Sequence, residues 1–345
     1  MLCGFIPLVS ALTMGIALFS DHASAAPAPN LTITKRSSTI SPVMNGQNFP
    51  DPSIIRVKND FYAFATNANV SGTMVHVQMA HSTDFETWTH AGTKDALPTL
   101  PAWVDPTNPH IWAPDVVEVG DRFVMYYTAT LKANSTLHCL GVATATAVQG
   151  PYTPVSQTPW ACPTAQGGAI DPAGYYDPTD GTRWVTYKID GNAIGHGGAC
   201  NNGVEPIVST PIVIQQVSAS DGHTPIGKPS GPLITNGVDD GPVVEAPSLT
   251  KMSDGTYVIF FSSNCYATPL YDVSYATSQS IKGPYTKYGP MFVTGDDGLT
   301  APGGLDIAIN GDHAVFHADY NGGRAMFTAM IAGSNPIYAA YVKTD

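Results

Sequence analysis

The 345-residue chain is short of charge: Asp, Glu, Lys and Arg make up 12% of it, about half the share of an ordinary soluble domain. Long helices and coiled coils are rich in Glu, Lys and Arg, so the composition argues against them. Positive charge is scarcer still, with 15 Lys and Arg against 27 Asp and Glu. A nucleic-acid surface needs clustered cations to meet phosphates, so no nucleic-acid partner is expected. Cysteine is sparse too: five residues with no C-x-x-C pair, which argues against a structural zinc site. Outside the N-terminus no apolar run approaches the length of a bilayer span, so no membrane partner is expected either. Disorder is excluded by a hydrophobic share of 43%. Glycine and proline, by contrast, are plentiful at 33 and 29 residues, above their combined average of about 12%. A turn-rich, β-rich chain with ample residues for a core fits these numbers.

The N-terminus reads as an address. Phe5 to Ser20 is a short apolar run followed by Ala23-Ser24-Ala25, an A-x-A-like cleavage site, although no Lys or Arg precedes it. Residues 1–25 are therefore expected to be a secretory signal. Residues 26–36 are expected to be a propeptide ending at the dibasic Lys35-Arg36, the plainer reading being two exposed cations in a linker. Loss of 1–36 removes two basic residues and one acidic, leaving a net charge of −13 on residues 37–345. Four cysteines remain, Cys139, Cys162, Cys200 and Cys265, enough for two disulfides in a secreted protein. Asn69-Val70-Ser71 and Asn134-Ser135-Thr136 are glycosylation sequons in polar stretches, in keeping with an extracellular location.

The rest of the chain is repetitive. Apolar runs at 61–65, 122–127, 183–187 and 256–261 each follow a turn signal: Lys58-Asn59-Asp60, Val119-Gly120-Asp121, Asp180-Gly181-Thr182 and Ser253-Asp254-Gly255. Asn310-Gly311-Asp312 before His313 opens a fifth. Upstream of each hairpin lies a proline segment: Asp51-Pro52, Ala113-Pro114, Asp171-Pro172, Glu245-Ala246-Pro247 and Ala301-Pro302. Their proline spacings are 62, 58, 75 and 55. Gly150-Pro151-Tyr152 and Gly283-Pro284-Tyr285 close the second and fourth units alike. Five units, each able to supply four short strands, predict a single-domain, all-β, five-bladed propeller. An irregular β-sandwich is the alternative, but it predicts no matching segment at the start of each unit.

In a propeller the inner strands run in one direction, so their starts converge on one mouth of the channel. Proline suits the first residue of a strand, and acids beside it, Asp51, Asp171 and Glu245, would share that mouth. One such acid alone is ordinary turn chemistry; three in one register are a constellation. Glycoside hydrolysis needs a proton donor and a base, and a third carboxylate raises the donor's proton affinity by like-charge repulsion.

Asn48-Phe49-Pro50-Asp51-Pro52-Ser53, Trp112-Ala113-Pro114-Asp115, Ile170-Asp171-Pro172 and Glu245-Ala246-Pro247 together resemble glycoside hydrolase family 43. The resemblance covers nearly all of residues 45–335. It implies a five-bladed propeller that hydrolyses arabinose- or xylose-containing plant cell-wall polysaccharide (arabinan, arabinoxylan) with inversion. Asp51 would be the general base, Glu245 the general acid and Asp171 the residue that orients the acid and tunes its pKa. An α-L-arabinofuranosidase is the leading activity; a β-xylosidase, an endo-1,5-α-L-arabinanase or a non-catalytic sugar-binding propeller are the alternatives. Phe49 and Trp112 are expected to form a sugar-stacking wall, with inter-blade packing as the other reading. Lys188 and Arg324 are expected to bind substrate, and Asp115 to act as a structural acceptor. His317 matches a channel histidine that sits beside a calcium ion or a water in some family members, the plainer reading being a satisfied core residue. No cofactor is expected for the chemistry, a structural calcium being the one ion in prospect, and the protein is expected to be a monomer. Late-hairpin placement in adjacent blades favours pairing Cys200 with Cys265 and Cys139 with Cys162.

Overall fold

The computed structural model describes residues 40–309, 311–333 and 337–341; the signal and propeptide segments lie outside them. Five four-stranded antiparallel sheets follow one another along the chain. Their innermost strands are Ser53–Val57, Trp112–Val119, Ala169–Tyr176, Val244–Lys251 and Gly303–Ile307. Each pairs with a second strand, Asp60–Ala65, Arg122–Thr130, Arg183–Ile189, Tyr257–Ser263 and His313–Tyr320 respectively. These are the five predicted hairpins. Among the described residues the only helical turns are short 3-10 segments. None is long and apolar enough to cross a membrane.

Strand periodicity explains the continuous apolar runs. In blade 1, Phe61, Ala63 and Ala65 pack with Val315 and Met326 of blade 5, while the alternating Phe64 packs with Val116, Met125 and Tyr127 of blade 2. In blade 4, Val258 and Phe260 face blade 5, and Tyr257, Ile259 and Phe261 face blade 3. A blade buried on both faces needs apolar side chains at successive positions, just as parallel sheets do. Full burial of one such side chain contributes about 1.5–3 kcal/mol. Charge has few places to stand in such a structure, which accounts for its scarcity.

The ring closes through the N-terminal segment. The third strand of blade 5, Gly323–Ala332, pairs with Tyr338–Tyr341 only over its far half. Its near end is covered by residues 43–49: Val43 N donates to Met326 O at 3.0 Å, Phe49 N donates to Arg324 O at 2.8 Å, and Asn48 bridges Ala325. The strap then enters blade 1, tying the last blade to the first.

The structure pairs Cys139 with Cys162 and Cys200 with Cys265. Tyr152 and Tyr285, the tyrosines of the matching Gly-Pro-Tyr segments, donate their hydroxyls to Val148 O and Ile281 O, four residues upstream in both cases. Asn69 and Asn134 are both exposed.

Candidate active site

The five inner strands share a local device. In blades 2 to 5 the pairing slips between Trp112 and Asp115, Ile170 and Ala173, Glu245 and Ser248, and Gly303 and Asp306. Inside each bulge one residue has positive φ: Ala113 at 40°, Asp171 at 54°, Ala246 at 51° and Gly304 at 58°. Asp51 of blade 1 has 52°. Four of these five are not glycine and precede a proline, a costly conformation that the surrounding fold must enforce. This register corrects the fifth unit: Gly304-Leu305, not Ala301-Pro302, is equivalent to the other Asp-Pro and Ala-Pro pairs. The last spacing is thus 58, from Pro247 to Leu305. The same positions, Asp51-Pro52, Ala113-Pro114, Asp171-Pro172, Ala246-Pro247 and Gly304-Leu305, line a narrow central cavity.

A ring of hydrogen bonds between blades holds these bulges. The Asp51 N–H donates to His317 Nδ1 of blade 5 at 3.1 Å, and the Ala113 N–H to Thr66 Oγ1 of blade 1 at 2.9 Å. The Asp171 N–H donates to Thr128 Oγ1 of blade 2 at 3.0 Å, and the Gly304 N–H to Ser262 Oγ of blade 4 at 2.9 Å. Thr128, Ser262 and His317 stand on second strands opposite the start of their own bulge, and Thr66 directly follows the blade 1 second strand, its N–H donated to Pro50 O at 3.1 Å. Blade 3 departs from the rule. Its residue there is Lys188, a donor, and the Ala246 N–H is taken instead by Asp171 Oδ2 at 3.0 Å.

Asp51 is braced as an anion. Arg324 Nη1 stands 2.7 Å from Oδ1 and the Thr66 hydroxyl donates to Oδ2 at 2.6 Å. Burial pushes this carboxyl up, but Arg324 and Thr66 outweigh it and hold it below the ordinary carboxylate range. The strap sets Arg324 in place, since Asn48 Oδ1 accepts its N–H at 3.0 Å. Its guanidinium also lies 5.3 Å from the centre of the Tyr266 ring.

Asp171 and Glu245 form a second unit. The Asp171 carboxyl is pushed up to about 8 by burial and then by Glu245, against the pull of Lys188. Like-charged neighbours of this kind retain a proton between them near neutrality. Glu245 receives the Lys188 ammonium on Oε2 at 2.9 Å and the Tyr271 hydroxyl on Oε1 at 2.9 Å. One carboxylate held ionised and a carboxyl pair holding a proton meet at one mouth; this is the equipment of general base and general acid.

Below them the channel carries Asp115 and Asp306. Asp115 Oδ2 accepts the Gly174 N–H at 2.6 Å, while Asp306 Oδ2 accepts the Ile54 N–H at 2.7 Å and Oδ1 the Ser248 hydroxyl at 2.7 Å. Both brace one blade to the next, the structural role expected for Asp115. Burial pushes both up, Asp306 to about 6, with Asp306 also acting on Asp115.

The family model described as glycosyl hydrolases family 43 matches residues 40–327. The chain belongs to this family. An extracellular endo-alpha-(1->5)-L-arabinanase of Thermotoga petrophila is 30% identical over 167 residues, covering 40% of this chain and 33% of that protein. Xylosidase/arabinosidase 43B of Humicola insolens is 26% identical over 260 residues, covering 73% of this chain and 42% of that protein. The chain spans between a third and about half of the length of the curated relatives it matches. A thermostable family-43 glycoside hydrolase of known structure superposes with a TM-score of 0.72 at 21% identity, over 89% of this chain and 97% of that one.

Within the family 43 scaffold, several expected site residues need correction. Phe49 is fully buried and packs edge-on against His90 in the interface of blades 5 and 1, so it anchors the strap and meets no sugar. Lys188 is fully buried between Glu245 and Asp190 and offers substrate no free donor. His317 is fully buried as well, its Nδ1 committed to the Asp51 N–H. Burial, then the charge of Arg324, holds its imidazole down to about 3, so the ring is neutral with its proton on Nε2. Among the described residues its buried Nε2 has no hydrogen-bond partner, and no three His, Cys, Asp or Glu side chains stand together as metal ligands. Trp112 opens the blade 2 inner strand, half-buried, its ring 4.0 Å from His138 and 5.0 Å from His110. Arg324 reaches the site through Asp51. Thr66, Tyr271 and Asp190 belong to the site and were missed; Thr66 and Lys188 share a register across blades, a signal visible once the bulges are aligned.

Proposed function

We infer that this member of family 43 is a secreted, inverting glycosidase of arabinose-containing plant cell-wall polysaccharide, with α-L-arabinofuranosidase action. The observation that carries this reading is the division of three mouth carboxyls into one anion, Asp51, and one proton-holding pair, Asp171 and Glu245. Asp51 draws a proton from water as that water attacks the anomeric carbon. Glu245 donates to the leaving oxygen, and Asp171 keeps the pair's proton available near neutrality. Trp112 offers its ring as a stacking wall for the sugar.

Removal of single sugars, rather than cutting within a chain, is favoured by the rim. Loops between second and third strands lie on the mouth side. In blade 5 this loop is the short turn at Asn321-Gly322, but in blade 3 it spans 190–211 and is clamped by Cys200–Cys265 to the blade 4 loop 264–271. A wall built on two adjacent blades favours a pocket over an open groove. The names of two curated relatives favour an endo-arabinanase as the second reading.

A panel of aryl α-L-arabinofuranoside, aryl β-D-xyloside and linear arabinan tests the proposal with wild type and Glu245→Gln. Turnover of the arabinofuranoside is expected, with the variant's rate on polysaccharide reduced about 10²–10⁴-fold. Xyloside preference overturns the sugar assignment, and internal cutting of arabinan overturns the pocket. Proton NMR of the first-formed anomer should show inversion; a retained configuration removes Asp51 from the base role.

A further inference from the structure

Lys188 stands where the fivefold pattern breaks. Four blades place a hydrogen-bond acceptor at the equivalent point, Thr128, Ser262 and His317 on the second strand and Thr66 directly after it. Blade 3 places an ammonium there, fully buried, 2.9 Å from Glu245 Oε2 and 3.2 Å from Asp190 Oδ1. A buried lysine is tolerated only when paired, and an ammonium in this position displaces a bond the other blades keep. The cost falls beside the candidate acid and nowhere else in the ring.

Resting on the acid–base reading above, we propose that Lys188 is a positioning residue that fixes Glu245 and sets how far into the alkaline range the Asp171–Glu245 pair keeps its proton. One positive charge serves two partners. Toward Glu245 it favours the carboxylate, which lowers the pair's hold on its proton; Asp190 draws part of that influence away. The groups facing this cluster are Asp171 from the blade 3 inner strand, Tyr271 on Glu245 Oε1, and, across the mouth, Asp51 with Arg324 and the neutral His317. Lys188 and Asp190 therefore act in opposite senses on the same proton.

The test uses Lys188→Met and Asp190→Asn in the full chain, with two readouts. In pH–rate profiles the alkaline limb should move up by about one pH unit in Lys188→Met and down in Asp190→Asn, as expected for opposite charges at this range. In Lys188→Met, kcat should fall about tenfold or more with KM little changed, because the acid loses its anchor but the sugar contacts remain. The second readout is carboxyl titration by 13C NMR on Asp- and Glu-labelled protein without substrate, which should show the same opposite shifts. If wild type turns over none of the sugars, the function reading fails while the titration still decides on Lys188. Should Lys188→Met not fold, the downward shift in Asp190→Asn carries the test. Unchanged limbs and unchanged carboxyl titration in the folded variants overturn the proposal.

Discussion

Thr128→Val cuts one link of the inter-blade ring without changing its shape. Thr128 is fully buried and its hydroxyl accepts the N–H of Asp171, a residue held at φ 54°. Valine keeps the volume and the branched Cβ but leaves that N–H without an acceptor. Leaving a buried donor unsatisfied costs about 1–3 kcal/mol. For a domain of about 300 residues, with an unfolding entropy of roughly 2.1 cal/mol/K per residue, that corresponds to a fall of about 2–5 °C in Tm. Activity should fall further than stability suggests. The bond fixes the backbone of an acid whose displacement by about 1 Å is enough to cost some 10²-fold. Calorimetry and kcat/KM on the variant measure both. Thr128→Ser restores the hydroxyl and should recover most of each. Ser53→Ala is the control: its Oγ is buried at the same channel with no hydrogen-bond partner, so its removal orphans no donor and should lower Tm less than Thr128→Val does. A Thr128→Val protein that melts within 1 °C of wild type and keeps its rate, or a Thr128→Ser protein as damaged as the valine variant, would refute the ring as a working part of the site.

Three further outcomes follow from the same geometry. The kcat/KM profile should be bell-shaped, falling above about pH 8 as the Asp171–Glu245 pair loses its proton, and falling on the acid side only below the ordinary Asp range, where Asp51 is protonated. Arg324→Lys removes the guanidinium that holds Asp51 ionised, so its acid limb should move up toward the ordinary Asp value; a pH–rate profile with an unmoved acid limb would contradict this. Asp306 titrates near 6 in the fold and near 3.8 when unfolded, so its contribution to stability is complete below pH 3.8 and is lost as the pH rises through 6. Urea unfolding from pH 4 to 7 should lose up to about 3 kcal/mol from this group, and Asp306→Asn should remove that slope.

The blades were legible because two signals coincide: turn residues with fixed conformational preferences, and apolar runs too continuous for a sheet with one wet face. The acids were legible because proline marks the inner-strand start. The fifth blade's register was not, for a physical reason. A Cβ on Gly303 would lie 1.9 Å from the Tyr271 ring, and one on Gly304 2.8 Å from His317, at φ 58°. Blade 5 yields its side chains to those two rings, so the Asp-Pro or Ala-Pro marker is absent, and Ala301-Pro302 three residues upstream imitates it. Phe49 and Lys188 were misread because nearness to an acid in sequence says nothing about direction.

The placement of Glu245 follows from the same bulge. Asp51 and Asp171 occupy its positive-φ position, whose backbone N–H is donated to the preceding blade. Glu245 stands one residue earlier, leaving the positive-φ position to Ala246, whose N–H meets the Asp171 carboxyl. That single step brings Asp171 to the base of Glu245. An acid at 246 instead would have its own N–H bound to Asp171, with no carboxylate at 245 to meet Lys188 and Tyr271. The pairing that retains a proton therefore depends on an acid displaced from the fivefold register and on a lysine where the register asks for an acceptor. Both departures lie at the interface of blades 3 and 4, which is also where the Cys200–Cys265 disulfide ties the rim. The proposed chemistry falls where the repeat is broken, and the regular blades hold those breaks in place.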